Sequence, residues 1–467
     1  MLIINGQVVH EDGVRKEDIR IEGEVIIEIT PSLSPRAGEK SYAREQARAR
    51  EQVIDAAGKF ILPGGVDVHT HMDLDLGNVR ATDNFYTGTV AAACGGTTTI
   101  VDHIAFGPRG CSIRHQIDAY HRLADDTAVI DFGFHGVMDH VDAAILDEVE
   151  TLLHEGITSH KFYLTYDGKI TDAEVLQLME KTRDLGVLLT VHAENDGAIS
   201  YLRDKFRTEG KTAPIYHARS RPPESEAEAV GRVAMLASIA GDAPVYIVHL
   251  SSGLGLGVIK AARSRGQKNL FIETCPQYLY LDESLYQRDD GLKYIISPPL
   301  RTANDREPLW QGVRCGDIDV IATDHCPFFY SREKQLGKAD FTLAPGGAPG
   351  VEARIPLLFS EITSGRLTAC RVVKLCCANP ARLFGLYPKK GVIAVGSDAD
   401  LVVIDPEIKT TMTFEMLHEN CDYTPYEGLP LSGYPVMTVS RGEIIAKDGC
   451  FIGQKGRGRF LKRGLAL

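Results

Sequence analysis

Positive charge is in short supply in this sequence of 467 residues: 51 Lys and Arg stand against 63 Asp and Glu, a formal net charge of −12. Such a surface repels phosphate backbones, which argues against nucleic acid as a partner. The one basic stretch, Lys455 to Arg463 with Arg457, Arg459 and Lys462 between, reads as a solvated or partner-packed end. Long apolar runs are missing too. No stretch of about 18 apolar residues occurs, so no membrane span is expected. The start, Met1-Leu-Ile-Ile-Asn-Gly, turns polar before an export signal of ordinary length could develop. The ten cysteines form no CxxC pair and no dense framework. Reduced thiols in a cytoplasm are the expectation, with adjacent Cys376 and Cys377 as small packing residues.

What is present is an ordinary globular composition, 44% hydrophobic and 24% charged, in a chain long enough for a large barrel plus a smaller unit. The two ends resemble each other. Leu2-Ile-Ile, Gln7-Val-Val and Ile19 to Ile29 are short β-rich runs, matched by Leu401-Val-Val-Ile404 and Val436 to Ile445, with turn signals at Gly396-Ser-Asp and Arg441-Gly. A β-sandwich domain built from both ends, residues 1–62 and 386–467, is the expectation. The charged stretch 38–52 reads as a helix-prone surface insertion.

Residues 63–385 alternate β-branched apolar runs with amphipathic stretches, the signature of βα units around a parallel sheet. Helices are expected over Asp172 to Leu185, stopped by Gly186, and over Glu224 to Ala240, stopped by Gly241. Strand ends fall near His71, His103, His135, Lys161, His192, His249, Thr274 and Asp324. Eight strands suit an α/β fold of the (β/α)8 TIM-barrel type. A doubly wound open sheet is the alternative, but no Gly-rich phosphate loop follows the first strand.

Barrel active sites form at the C-terminal strand ends, and those ends carry metal-ligand side chains. In His69-Thr70-His71 the strand period of two aims both imidazoles at the barrel mouth, where neutral imidazole suits zinc and similar ions. A lone HxH pair is more often a structural one. Its weight comes from Pro63-Gly64-Gly65-Val66-Asp67 before it and from His192 and His249 closing two further apolar strands. Asp324, in Ile321-Ala-Thr-Asp-His-Cys-Pro, can cap a helix or serve as metal ligand and general base. Lys161, in Ser159-His-Lys-Phe-Tyr-Leu164, reads from its own chemistry as a surface lysine, because an ammonium repels cations.

These segments resemble the cyclic amidohydrolases of the hydantoinase and dihydropyrimidinase branch over essentially the whole chain. The resemblance rests on PGGVDVHTH (63–71), DNFYTGTVAAACGGTTT (83–99), HKFYLTY (160–166), VHAEN (191–195), IVHLSS (247–252), ETCPQYL (273–279), SPPLR (297–301) and ATDHCPF (322–328). GPRGCSIRHQ (107–116) and AILDE (144–148) look most like bacterial D-phenylhydantoinases. The resemblance implies two divalent metal ions, zinc being the expected one, held by His69, His71, His192, His249, Asp324 and a carboxylated Lys161. It implies that Tyr166 donates to the ring carbonyl oxygen and that backbone groups at Ser297 and Gly346 hold the ring amide. One departure is Pro345-Gly346-Gly347 where relatives commonly read Pro-Asn-Gly, which loosens that loop. A homotetramer is implied as well.

The expected reaction is opening of a cyclic amide by a metal-bridged hydroxide, with Asp324 shuttling the proton and Tyr166 stabilising the oxyanion. Leu74, Leu76 and Tyr163 are expected to line the pocket for the ring substituent, although ordinary loop packing would also account for them. Their apolar character favours D-5-aryl hydantoins, opened to N-carbamoyl amino acids. Dihydropyrimidinase activity is the nearest alternative. Dihydroorotase is disfavoured because Met72-Asp73, not arginine, follows the HxH pair. A non-catalytic interaction protein of the same fold is the alternative of another class.

Overall fold

A computed structural model describes residues 1–32 and 52–465. Apart from Gln52, the insertion expected over 38–52 lies outside the described residues. The N-terminal end contributes β1 (Leu2–Val9), β2 (Val14–Glu22), β3 (Val25–Thr30), β4 (Val53–Asp55) and β5 (Phe60–Pro63). The barrel strands are β6 (Gly65–Thr70), β7 (Thr97–His103), β8 (Asp131–Val137), β9 (Ser159–Tyr163), β10 (Leu188–His192), β11 (Val245–Ile247), β12 (Leu270–Thr274) and β13 (Val320–Ile321). The C-terminal end adds β14 (Leu401–Thr411), β15 (Pro430–Ser440), β16 (Glu443–Lys447) and β17 (Cys450–Phe451). The short runs Leu2-Ile-Ile and Gln7-Val-Val merge into the single strand β1. The run Ile19 to Ile29 is cut by a turn at Gly23, whose φ of 58° suits glycine.

Both ends join in one nine-stranded mixed sheet, in the order β17-β16-β15-β14-β5-β1-β2-β3 with β4 beside β1. Its centre explains why Leu401-Val-Val-Ile404 is apolar without a break. Leu401 and Val403 pack with Ile61, Ile19 and Val439 in the sheet's own core, while Val402 and Ile404 face the barrel with Leu62. Strand side chains alternate between faces, so a strand buried on both needs an apolar residue at every position.

The eight middle strands are all parallel and lie in chain order, β6 to β13. A parallel bridge from Thr70 to His325 closes the circle, with His69 O accepting from Asp324 N and His325 O accepting from His71 N, both at 2.9 Å. Val66, Val68, Val101, Leu188, Tyr246 and Val320 fill the lower interior together with Phe384 and Leu461. The helix Asp172–Leu185 begins in a Thr171–Glu174 capping box and ends on Gly186 at φ 72°, as its sequence predicts. The second helix runs Pro223–Ile239.

Two features depart from simple strand arithmetic. β6 takes three steps from Asp67 to Thr70 where β7 takes two from Ile100 to Asp102. This bulge lets Val68 join the interior core while His69 and His71 still reach the barrel mouth. β11 and β13 also end early, so His249 and Asp324 stand beyond them with φ of 41° and 55°. The basic tail is only partly solvated. Arg463 is buried, donating to Phe134 O and Ser159 Oγ, and Arg457 donates to Ser440 O and Val129 O. Among the described residues no helix is long and apolar enough to cross a membrane.

Candidate metal centre

The strand ends bring His69, His71, Lys161, His192, His249 and Asp324 to one cavity of about 920 Å³. Asp324 Oδ1 lies 3.0 Å from His69 Nε2 and 3.2 Å from His71 Nε2. His192 Nδ1 and His249 Nε2 face each other at 2.8 Å. The donors therefore form two neighbouring groups, with the His69 and His249 rings 5.4 Å apart between centroids. Lys161 is almost fully buried, its Nζ 5.3 Å from the Tyr163 ring.

The other nitrogen of three of these imidazoles is already engaged. His69 Nδ1 meets the Glu273 carboxylate, which also accepts from Tyr246 Oη at 2.8 Å and from His249 N at 2.9 Å. His71 Nδ1 faces His103 O at 3.2 Å. His192 Nε2 lies 2.8 Å from Glu194, whose carboxylate Arg221 holds at 2.5 Å. Carboxylates and carbonyls on the far nitrogens fix tautomers and orient rings, an arrangement typical of metal-ligating histidine.

It also poses an electrostatic question. With their N–H groups committed elsewhere, His69 Nε2, His71 Nε2 and Asp324 Oδ1 turn lone pairs towards one another. His69 Nε2 is buried and lacks a well-directed hydrogen bond despite the carboxylate 3.0 Å away, and His249 Nδ1 has no partner among the described residues. Only a proton or a cation reconciles such a cluster. Without a metal, burial opposes the charged imidazolium, but Glu273 and Asp324 overcome it and push His69 up to about 9. Burial holds His71, His192 and His249 below the ordinary histidine value, the neutral form that binds metals. Burial works against the Asp324 carboxylate, yet His69 and His71 hold it well below its usual range. The donor set fits divalent cations.

Tyr166, Ser297, Gly346, Leu74, Leu76 and Tyr163 all line the same cavity. Tyr166, at φ 70° and 38% exposed, packs its ring 5.1 Å from His192; partial desolvation in the cavity raises its phenol above the ordinary value. A Cβ on Gly346 would come within 3.2 Å of Ser297 Oγ, so the two backbone segments face each other closely. Gly347 has no substitute: at φ 153° its Cβ would stand 2.3 Å from Cys326 O.

Several members of this site carry little or no signal in the sequence. Glu273 and Glu194 orient candidate ligands, Arg221 holds Glu194, and Arg221 also covers the Tyr166 ring at 5.5 Å. Glu194 carried a signal, an acid two residues after His192 on an apolar strand; Arg221 sits in a stretch without periodicity and carried none. A second group with metal-ligand chemistry, Cys94, Glu352 and His418, lies elsewhere. There His418 Nδ1 pairs with Glu352 at 2.9 Å, docking a long loop of the outer sheet on the barrel.

The amidohydrolase family model matches residues 60–445 of the chain. The D-phenylhydantoinase of Escherichia coli is 50% identical over 464 residues, which is 99% of this chain and 98% of the relative. A crystal structure of dihydropyrimidinase from Brevibacillus agri superposes with a TM-score of 0.94 at 40% identity, covering 100% of this chain and 99% of that one. The structure of D-hydantoinase from a Bacillus species, AR9, gives 0.93 at 40% identity over 99% of each chain.

Proposed function

This chain belongs to the amidohydrolase family, and we propose that it opens the ring C–N bond of cyclic amides, with 5-aryl hydantoins of D configuration as preferred substrates. The observation that carries this reading is the meeting of His69 Nε2, His71 Nε2 and Asp324 Oδ1 within hydrogen-bonding range, their remaining imidazole N–H groups engaged elsewhere. In this reading His69, His71, His192, His249 and Asp324, with Lys161 as a carbamate, would hold two divalent cations, zinc being the expected ion. Burial brings the Lys161 amine down to about 8 against the pull of Glu273 and Asp324. A neutral fraction is therefore present near neutrality to add CO₂, release a proton and become an anion. When bound, divalent cations supply Lewis acidity, polarising a carbonyl and lowering the pKa of water.

The chain's own groups do the rest. The Asp324 carboxylate, kept ionised by its histidines, takes a proton from the attacking water and returns it to the leaving ring nitrogen. Tyr166, a phenol and so protonated at neutral pH, donates to the ring carbonyl oxygen as charge develops there, a contact typically worth about 3 kcal/mol. Backbone groups of Ser297 and Gly346 receive the ring amide. Leu74, Leu76, Tyr163 and Phe106, all on the cavity wall, accept an apolar substituent and disfavour a charged one. Assembly as a homotetramer in the cytoplasm belongs to the same proposal and rests on resemblance.

Dihydrouracil opening is the second reading, favoured by the neighbour named dihydropyrimidinase. Initial rates of the zinc-loaded protein on D- and L-5-phenylhydantoin, dihydrouracil, allantoin and dihydroorotate decide between them. Fast opening of the D-phenyl compound with slow dihydrouracil is expected. Preference for dihydrouracil would move the substrate and keep the chemistry, and no opening of any ring would overturn both.

A further inference from the structure

Lys334 has none of its surface exposed, yet no carboxylate pairs with it among the described residues. Its ammonium donates to three backbone carbonyls instead: Ile295 O at 2.7 Å, Pro345 O at 2.8 Å and Gly347 O at 2.6 Å. Three N–H donors meet three acceptors, which matches the protonated amine and leaves no donor over; a neutral amine could keep only two of the three contacts. The nearby titratable groups are the thiols of Cys326 and Cys421 and the imidazole of His217, and burial lowers the amine to about 7. A side chain wanted only for packing would be cheaper as a hydrocarbon.

The three carbonyls belong to two segments far apart in sequence. Ile295 stands two residues before Ser297, and Pro345 and Gly347 flank Gly346. Gly347 N adds one more link, to Ile295 O at 3.1 Å. Pro345-Gly346-Gly347 has almost no side-chain matter with which to anchor itself, and its glycines leave the backbone free to wander. Lys334 supplies the missing anchor from behind, outside the cavity wall.

We propose that Lys334 is a positioning residue for ring opening: its ammonium sets the spacing between Ser297 and Gly346, and so the fit of the ring amide between them. This rests on the reading that these two backbone segments receive the ring. It assigns to a group buried behind the loop the anchoring that Gly346 itself cannot give.

The test uses the full-length, zinc-loaded protein with Lys334→Met and Lys334→Gln, and reads KM and kcat on 5-phenylhydantoin per metal-loaded site, with metal content and melting temperature alongside. Metal content should be unchanged, because every candidate ligand lies elsewhere. KM should rise about tenfold and kcat/KM fall about 30- to 100-fold in Lys334→Met, since misplacement of a bound substrate is felt in both constants. Lys334→Gln keeps two N–H donors and should fall between; if the methionine variant does not fold, it carries the test alone. A lower melting temperature with KM and kcat per site unchanged would reduce Lys334 to a structural lysine and overturn the proposal. Wild-type protein that opens no cyclic amide would instead overturn the functional reading and take this proposal with it.

Discussion

Asp324 stands where two duties meet. Its Oδ1 faces both imidazoles of the HxH pair, and its backbone at φ 55° turns the carboxylate back over the barrel mouth. A left-handed conformation costs a non-glycine residue about 1–2 kcal/mol, which the surrounding hydrogen bonds hold in place. Removing the carboxylate leaves His69 and His71 in place but takes away the proposed proton carrier. Asp324→Ala should therefore retain part of its metal, measured by atomic absorption, while ring opening falls by about 10³-fold or more. Full turnover in that variant would remove Asp324 from the chemistry. At this scale the legible residues were those whose side-chain type itself states a role, His69, His71, His192, His249 and Asp324 at strand ends. Lys161 looked like a surface lysine on its own and was singled out only by resemblance. Glu194 is the local exception, two residues from the His192 it orients; Glu273, Arg221 and Lys334 act through contacts made by segments distant in sequence, and no local pattern announces such contacts.

At the scale of elements, the eight barrel strands and the capped helix Asp172–Leu185 were legible because periodicity and caps are local properties. The β6 bulge was not, since it is defined only by the partner strand. Another such tie joins β8 to the terminal sheet. Lys390 is buried against Asp131 at 2.6 Å, Asp400 at 2.8 Å and Asp398 at 2.9 Å, and Arg441 meets Asp131 from the other side at 3.0 Å. Burial penalises the Asp131 charge, but Lys390 and Arg441 outweigh it and lower its pKa; the three carboxylates likewise raise Lys390. A lowered carboxylate contributes stability above its unfolded value near 3.9 that is lost on acidification. A raised lysine contributes below about 10.5 and loses it as pH climbs further. Lys390→Met leaves buried charge unpaired and should cost about 3–5 kcal/mol. Its melting temperature at neutral pH should fall well below wild type, with the gap narrowing as Asp131 protonates. An equal gap at every pH would mean that packing, not charge, is what the lysine provides.

For the whole molecule, one barrel presents its strand ends to a single cavity, and the two chain ends combine beneath and beside it. We propose the division into 1–62, 63–385 and 386–467 as the working boundaries, with β5 and β14 as the shared seam. The outer sheet does more than cover an apolar face, because its long loop brings His418 to Glu352 and Asn420 N to Asp83, which in turn holds His325 beside Asp324. Composition argues against nucleic acid as a partner and offers no apolar run long enough to span a membrane, but it could not anticipate this reach of the C-terminal loop towards the barrel mouth. We propose that ring opening depends on two cations at these six residues. Chelated protein titrated with zinc from zero to three equivalents, with opening of D-5-phenylhydantoin followed at each step, tests it most directly. Activity absent at zero and saturating at about two equivalents per subunit is the expected result. Full activity in the chelated protein, or none at any zinc level on any cyclic amide, would contradict it.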